Sequence, residues 1–131
     1  MHPGLSSGGD GLGGGIAHLF DGSTALVQKC RLTDSLAEGG AGGAGANGGN
    51  GQGGGTFNGL GVAVLTLAAD AITHNQALGG AAGADGVAGL DQGGGLSNDT
   101  GAVASADAHT KIKGNKASTS DDDVFGIVTP I

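Results

Sequence analysis

Triple glycines recur in this chain at a constant interval: Gly13–Gly15, Gly53–Gly55 and Gly93–Gly95 each begin 40 residues after the one before. A long fixed period marks a repeat architecture, in which no unit buries its apolar face alone and neighbouring units do so together. That constraint outranks residue-by-residue propensity. Sliding the chain on itself by this step, without a gap, aligns His18 with Asn58 and Asn98, and Leu32 with Ile72 and Ile112. It also aligns Ser35 with Asn75 and Asn115, and Ala37 with Ala77 and Ala117.

Around the Leu/Ile column each copy alternates: Arg31-Leu32-Thr33, Ala71-Ile72-Thr73, Lys111-Ile112-Lys113. A period of two is a strand signal, one side chain in and its neighbours out. Ser or Asn follows three residues later, where Asn suits a turn because it tolerates unusual backbone angles and bonds its own backbone. A second strand is expected upstream, where Val62, Val64, Leu65 and Leu67 fit a pleated surface, and a third, short one in Gly-Gly-Gly-Thr-Phe-Asn. Three such strands with their turns make one coil of a parallel β-helix, each strand lying about 4.8 Å from its equivalent in the next copy. Asn75 and Asn115 then form a structural ladder of amide hydrogen bonds rather than a catalytic group. The gapless alignment sets Ser105 and Asp107 opposite Leu65 and Leu67, so the third copy reads as a polar end of the stack.

Thirty-two glycines and only three aromatics, Phe20, Phe57 and Phe125, rule out a thick globular core. Thin columns of stacked Leu, Ile, Val and Ala need fewer large side chains. Glycine loses the most backbone freedom on folding, so a largely disordered low-complexity chain is the competing expectation. The segments 38–52 and 78–92 occupy the same place in the period, are rich in Gly and Ala, and are read as inserts projecting from one side as a flexible face. Packing as glycine-rich extended legs of polyproline II type is the alternative. The organisation expected is a flexible lead-in over 1–12, a repeat domain over 13–126 with copies 13–52, 53–92 and 93–126, and a tail over 127–131. Val124 and Phe125 should fold against the last copy and close its end.

The net charge of −7 disfavours duplex nucleic acid as a partner. All five bases, Lys29, Arg31, Lys111, Lys113 and Lys116, fall in the same part of the first and third copies and read as a solvated, edge-protecting face. A single cysteine, Cys30, excludes an internal disulfide, and Met1 to Gly15 lacks the charged and apolar regions of a signal peptide. No apolar run has the length of a membrane span.

The blocks GGGTFNGLGVAVLTLAADAITHNQA and GGGLSNDTGAVASADAHTKIKGNKASTSDDDVFG resemble right-handed β-helix repeats of large bacterial surface and secreted proteins. They are distantly similar to the GGAI and FxxN repeats of polymorphic outer-membrane autotransporters. The resemblance covers about Gly13 to Gly126 and implies an all-β fold: a right-handed parallel β-helix, a solenoid of about three coils with Gly-rich inserts. It further implies a secreted or cell-surface location and a role as spacer, adhesin stalk or passenger scaffold. The partner would be an unknown surface ligand or neighbouring coils of a longer array, with self-association through exposed coil ends.

Chemistry finds little purchase. The Asp121-Asp122-Asp123 run offers hard oxygen ligands for an adventitious calcium ion. Gly79 to Val87 comes near a stacked calcium repeat but carries an extra residue, and the first insert has no Asp. Many β-helices cleave polysaccharides, yet Asp34, Asp70 and Asp107 fall in different columns. A glycosidase needs a carboxylate pair at defined separation. Asp70 with His74, on either side of Ile72, is the best local pair, and His74 is more simply a turn residue. His2, His18, His74 and His109 share no column, and Cys30 has no zinc-ligand spacing to them. The expectation is a non-catalytic scaffold with no catalytic, cofactor-binding or metal-binding residue. A fragment of a polysaccharide lyase or hydrolase is the alternative.

Overall fold

The structure is a computed structural model, and it describes residues 7–117 and 121–131. Met1 to Ser6, with His2, and Ser118 to Ser120 lie outside the described residues. The described chain is all-β, without a helix. The first copy carries β1 (Gly11–Leu12), β2 (Ile16–Leu19), β3 (Thr24–Gln28), β4 (Arg31–Thr33) and β5 (Leu36–Glu38). The second carries β6 (Gly51–Gln52), β7 (Thr56–Gly59), β8 (Val64–Ala68), β9 (Ala71–Thr73) and β10 (Gln76–Leu78). The third carries β11 (Asp91–Gln92), β12 (Leu96–Asn98), β13 (Val103–Ala106), β14 (Lys111–Lys113) and β15 (Lys116–Ala117). Two strands follow, β16 (Val124–Phe125) and β17 (Thr129–Pro130).

Each copy thus has five strands, not the three expected. The two missed, typified by Gly51–Gln52 and Gln76–Leu78, are two or three residues long and contain no β-branched residue. They exist because lateral bonds to the neighbouring copies hold them, a cause invisible within one copy. Every pairing is parallel, and each sheet joins equivalents from successive copies: β1-β6-β11, β2-β7-β12-β16, β3-β8-β13-β17, β4-β9-β14 and β5-β10-β15.

Leu32, Ile72 and Ile112 are successive register partners, and all three belong to one apolar cluster. Its centre is Val27, Leu65, Leu67, Ile72, Leu96 and Ala104. Leu65 and Leu67 are wholly buried while the intervening Thr66 is half-buried.

The gapless alignment fails at one strand. Ala104, Ser105 and Ala106 lie opposite Leu65, Thr66 and Leu67, so the offset there is one residue shorter than in β14, where Ile112 lies opposite Ile72. A slip of one residue exchanges the two faces of a strand. The shorter loop before β13 therefore returns Ala104 and Ala106 to the apolar cluster and turns Ser105 away, and the turn 107–110 restores the register. The third copy is not polar at the positions of Leu65 and Leu67.

The terminal assignments also change. Val124 and Phe125 pair with Leu96 and Ser97, as expected. The segment 127–131, expected to be a tail, continues the pairing: Thr129 and Pro130 lie opposite Ser105 and Ala106, and the Ile131 N–H donates to the Ala106 carbonyl at 3.0 Å. The lead-in is ordered from Gly8, whose N–H donates to Asn47 O at 2.9 Å, and β1 pairs with β6.

Candidate functional site

The inserts are the segments most free to carry function, and they are not a flexible face. Donors in the first insert recur every third residue: the N–H groups of Gly42, Gly45 and Gly48 reach the carbonyls of Ala81, Ala84 and Val87 at 2.9, 2.6 and 2.9 Å. A second set, from Gly80, Gly83 and Gly89, reaches Gly49, Ala46 and Gly80. Two legs meet at the turn 44–45, where Gly45 is left-handed at φ 77°, and they satisfy their backbone through each other and through the neighbouring copy. Glycine is required because the legs touch backbone to backbone: a Cβ on Gly83 would overlap the Gly43 carbonyl oxygen.

Side-chain ladders tie the turns together. Asn75 is 1% exposed; its Oδ1 accepts from Ser35 N at 2.9 Å, and its Nδ2 donates to Leu32 O and to Asn115 Oδ1 at 2.9 and 3.0 Å. Asn115 continues the pattern, donating from its backbone N and its Nδ2 to Asp123 Oδ1 at 2.9 and 3.0 Å. Asp122 Oδ1 accepts from Ala117 N at 2.9 Å. Two carboxylates of the acidic run thus cap the last copy, a role its composition alone concealed. A second ladder runs through His18, Asn58 and Asn98. His18 Nδ1 lies 2.7 Å from Asn58 Oδ1, so it carries the proton, and Asn58 Nδ2 donates to Asn98 Oδ1 at 2.9 Å. Further forty-residue pairs were readable from spacing but not singled out: Gln52 donates to Gln92 at 2.7 Å, and Asp10 Oδ1 caps the Asn50 N–H at 2.8 Å.

The acids singled out for chemistry are engaged with backbone. Asp70 is buried, and its two oxygens accept from Cys30 N and Ala68 N at 2.8 and 2.9 Å. Asp107 Oδ1 accepts from the N–H groups of Ala69 and His109 and from the Thr110 hydroxyl at 3.0, 3.1 and 2.9 Å. The Ala69 N–H, assisted by the Thr110 and His109 bonds, holds the Asp107 carboxyl below its ordinary range against an opposing desolvation. Asp34 and His74 share a column with Gly114, and all three have left-handed backbone, at φ 58°, 58° and 69°. His74 is therefore a turn residue. Asp107 bonds at the turn that carries Asp70, just before β9, while Asp34 and His74 occupy the turn after β4 and β9. Among the described residues no three of His, Cys, Asp and Glu gather as metal ligands. No described helix is long and apolar enough to cross a membrane. An open cleft of about 290 Å³ lies between the loop Asn98 to Ala102 and Phe125 to Ile127.

Compared with known proteins, the chain matches no family model, no curated protein and no solved structure.

Proposed function

We propose that the chain is a segment of a right-handed parallel β-helix from a secreted or cell-surface repeat protein, serving as a non-catalytic spacer or adhesin-type scaffold. The observation that supports this reading is the shared topology: every sheet joins equivalent strands of successive copies in parallel. A structure built this way grows along one axis, with main-chain bonds between copies supplying rigidity and the column residues supplying the core. The acids nearest to a catalytic pattern are occupied in holding backbone N–H groups, which favours a scaffold over a polysaccharide-acting enzyme.

The test is to insert several tandem copies of residues 53–92 within the full chain, enough to make the stack longer than one coil is wide, and measure the maximum dimension by small-angle scattering. Each added copy should lengthen the particle by about 4.8 Å, the spacing of neighbouring strands, and raise the denaturation midpoint as in other repeat arrays. An unchanged length, or loss of cooperative unfolding, overturns the reading. Release of reducing ends from a panel of polysaccharides by the unmodified chain would overturn its non-catalytic part.

A further inference from the structure

The two ends of the stack are protected unequally. At the C-terminal end, β16 and β17 cover two of the sheets, β17 contains Pro130, and the exposed edges β14 and β15 carry Lys111, Lys113 and Lys116. Proline and lysine on an edge both oppose further strand pairing. At the N-terminal end β4 and β5 carry Arg31 and Glu38 and Lys29 follows β3, but the edge strands β2 and β3 themselves contain neither a charged residue nor a proline. There β3 is five residues long, and Leu26 at its centre is 63% exposed.

The lateral groups of β3 divide in a regular way. Val64 N donates to Ser23 O and Lys29 N donates to Ala68 O, both at 2.9 Å, so the N–H groups of Ala25, Val27 and Lys29 face β8. Backbone groups alternate sides along a strand, which turns those of Thr24, Leu26 and Gln28 toward an edge that no described strand pairs. Of these the Gln28 carbonyl has the Cys30 thiol at 3.3 Å.

We infer that this edge pairs with the same edge of a second copy of the chain, β3 antiparallel to β3 about a two-fold axis through Leu26. The sequence Thr24-Ala25-Leu26-Val27-Gln28 is matched to that operation. Leu26 meets Leu26, polar Thr24 meets polar Gln28, and Ala25 meets Val27. Ala25 and Val27 both belong to or pack on the apolar cluster, so the pairing sets core face against core face. All three residues with free lateral groups fall in hydrogen-bonded positions of the antiparallel ladder. A two-fold interface closes on itself. Head-to-tail stacking in register is disfavoured because the column containing Lys111 would continue onto Arg31.

This inference rests on the stacked arrangement, whose own test is the insertion of copies above; a folded monomer removes the dimer and leaves that arrangement standing. The experiment is sedimentation equilibrium of the full chain across a wide concentration range. The parent should pass from monomer to dimer and stop there. Leu26→Lys, which sets two like charges at the axis, should remain monomeric while keeping the parent's circular dichroism and melting curve. Ile127→Lys, at an exposed position of the opposite end, should dimerise like the parent. In parallel, amide exchange at Thr24, Leu26 and Gln28 should slow as concentration rises. A parent that stays monomeric, a Leu26→Lys chain that still dimerises, or association abolished by Ile127→Lys overturns the inference. If Leu26→Lys fails to fold, concentration-independent exchange at those three amides in the parent overturns it instead.

Discussion

Replacing Asn75 by Ala tests how much of the molecule depends on its side-chain ladder. The substitution removes the acceptor of the Ser35 N–H and the donor to the Leu32 carbonyl, while Asn115 Oδ1 keeps the Asn75 backbone N–H at 2.9 Å. Two backbone groups lose their partners, each costing about 1–3 kcal/mol when water does not replace the bond. Ser35 is half-buried, so water recovers part of its share. The expected loss is roughly 2–4 kcal/mol, a large fraction of the roughly 5–15 kcal/mol that holds a domain together. Urea denaturation followed by far-ultraviolet circular dichroism should show the midpoint falling at unchanged slope. Asn75→Asp keeps the acceptor and loses both donors, while its charge faces Asn115 Oδ1. It should therefore be at least as damaging at neutral pH, and less so in acid, where the protonated carboxyl donates again. A stability for Asn75→Ala within about 0.5 kcal/mol of the parent, the range of an ordinary surface change, refutes the ladder as a stabilising element.

Thr56 is wholly buried with no hydrogen-bond partner for its hydroxyl among the described residues, and its register neighbours are Ile16 and Leu96. Thr56→Val keeps the shape and should stabilise the fold by about 1 kcal/mol in the same denaturation assay. Gly83→Ala forces a Cβ onto the Gly43 carbonyl and should lower stability by about 1–3 kcal/mol. Gly9→Ala, with no atom near its would-be Cβ, should stay close to the parent. Asp107 has a folded-state pKa below its ordinary 3.8, so its contribution is present above that value and lost as pH falls through the depressed one. Acid titration of stability should therefore show a smaller fall for Asp107→Asn than for the parent below about pH 4.

Which residues neighbour each other was legible in the sequence because the repeat carries that information twice over. Leu32, Ile72 and Ile112 had to share a column, and Asn75 had to stand beside Asn115, since equal spacing along a repeating chain becomes adjacency once the copies pair. Spacing also revealed that His74 sits at a turn, where Asp34 and Gly114 accompany it. Acidic composition, by contrast, gave no sign that one oxygen of Asp122 accepts from Ala117 and one of Asp123 from Asn115, both of the copy before.

What tertiary structure alone decided are the features whose energy lies between copies. Gly51–Gln52 is a strand only because both flanking copies bond to it, and no local preference of Gly or Gln predicts that. The offset that returns Ala104 and Ala106 to the core is set by loop length and by the demand that one face stay apolar, which a gapless alignment cannot express. The glycine-rich legs have no internal hydrogen bonds to announce them. Their order comes from carbonyls of the facing leg, as at Gly49 and Gly89, and of the next copy, close enough that only a hydrogen atom fits at Gly83.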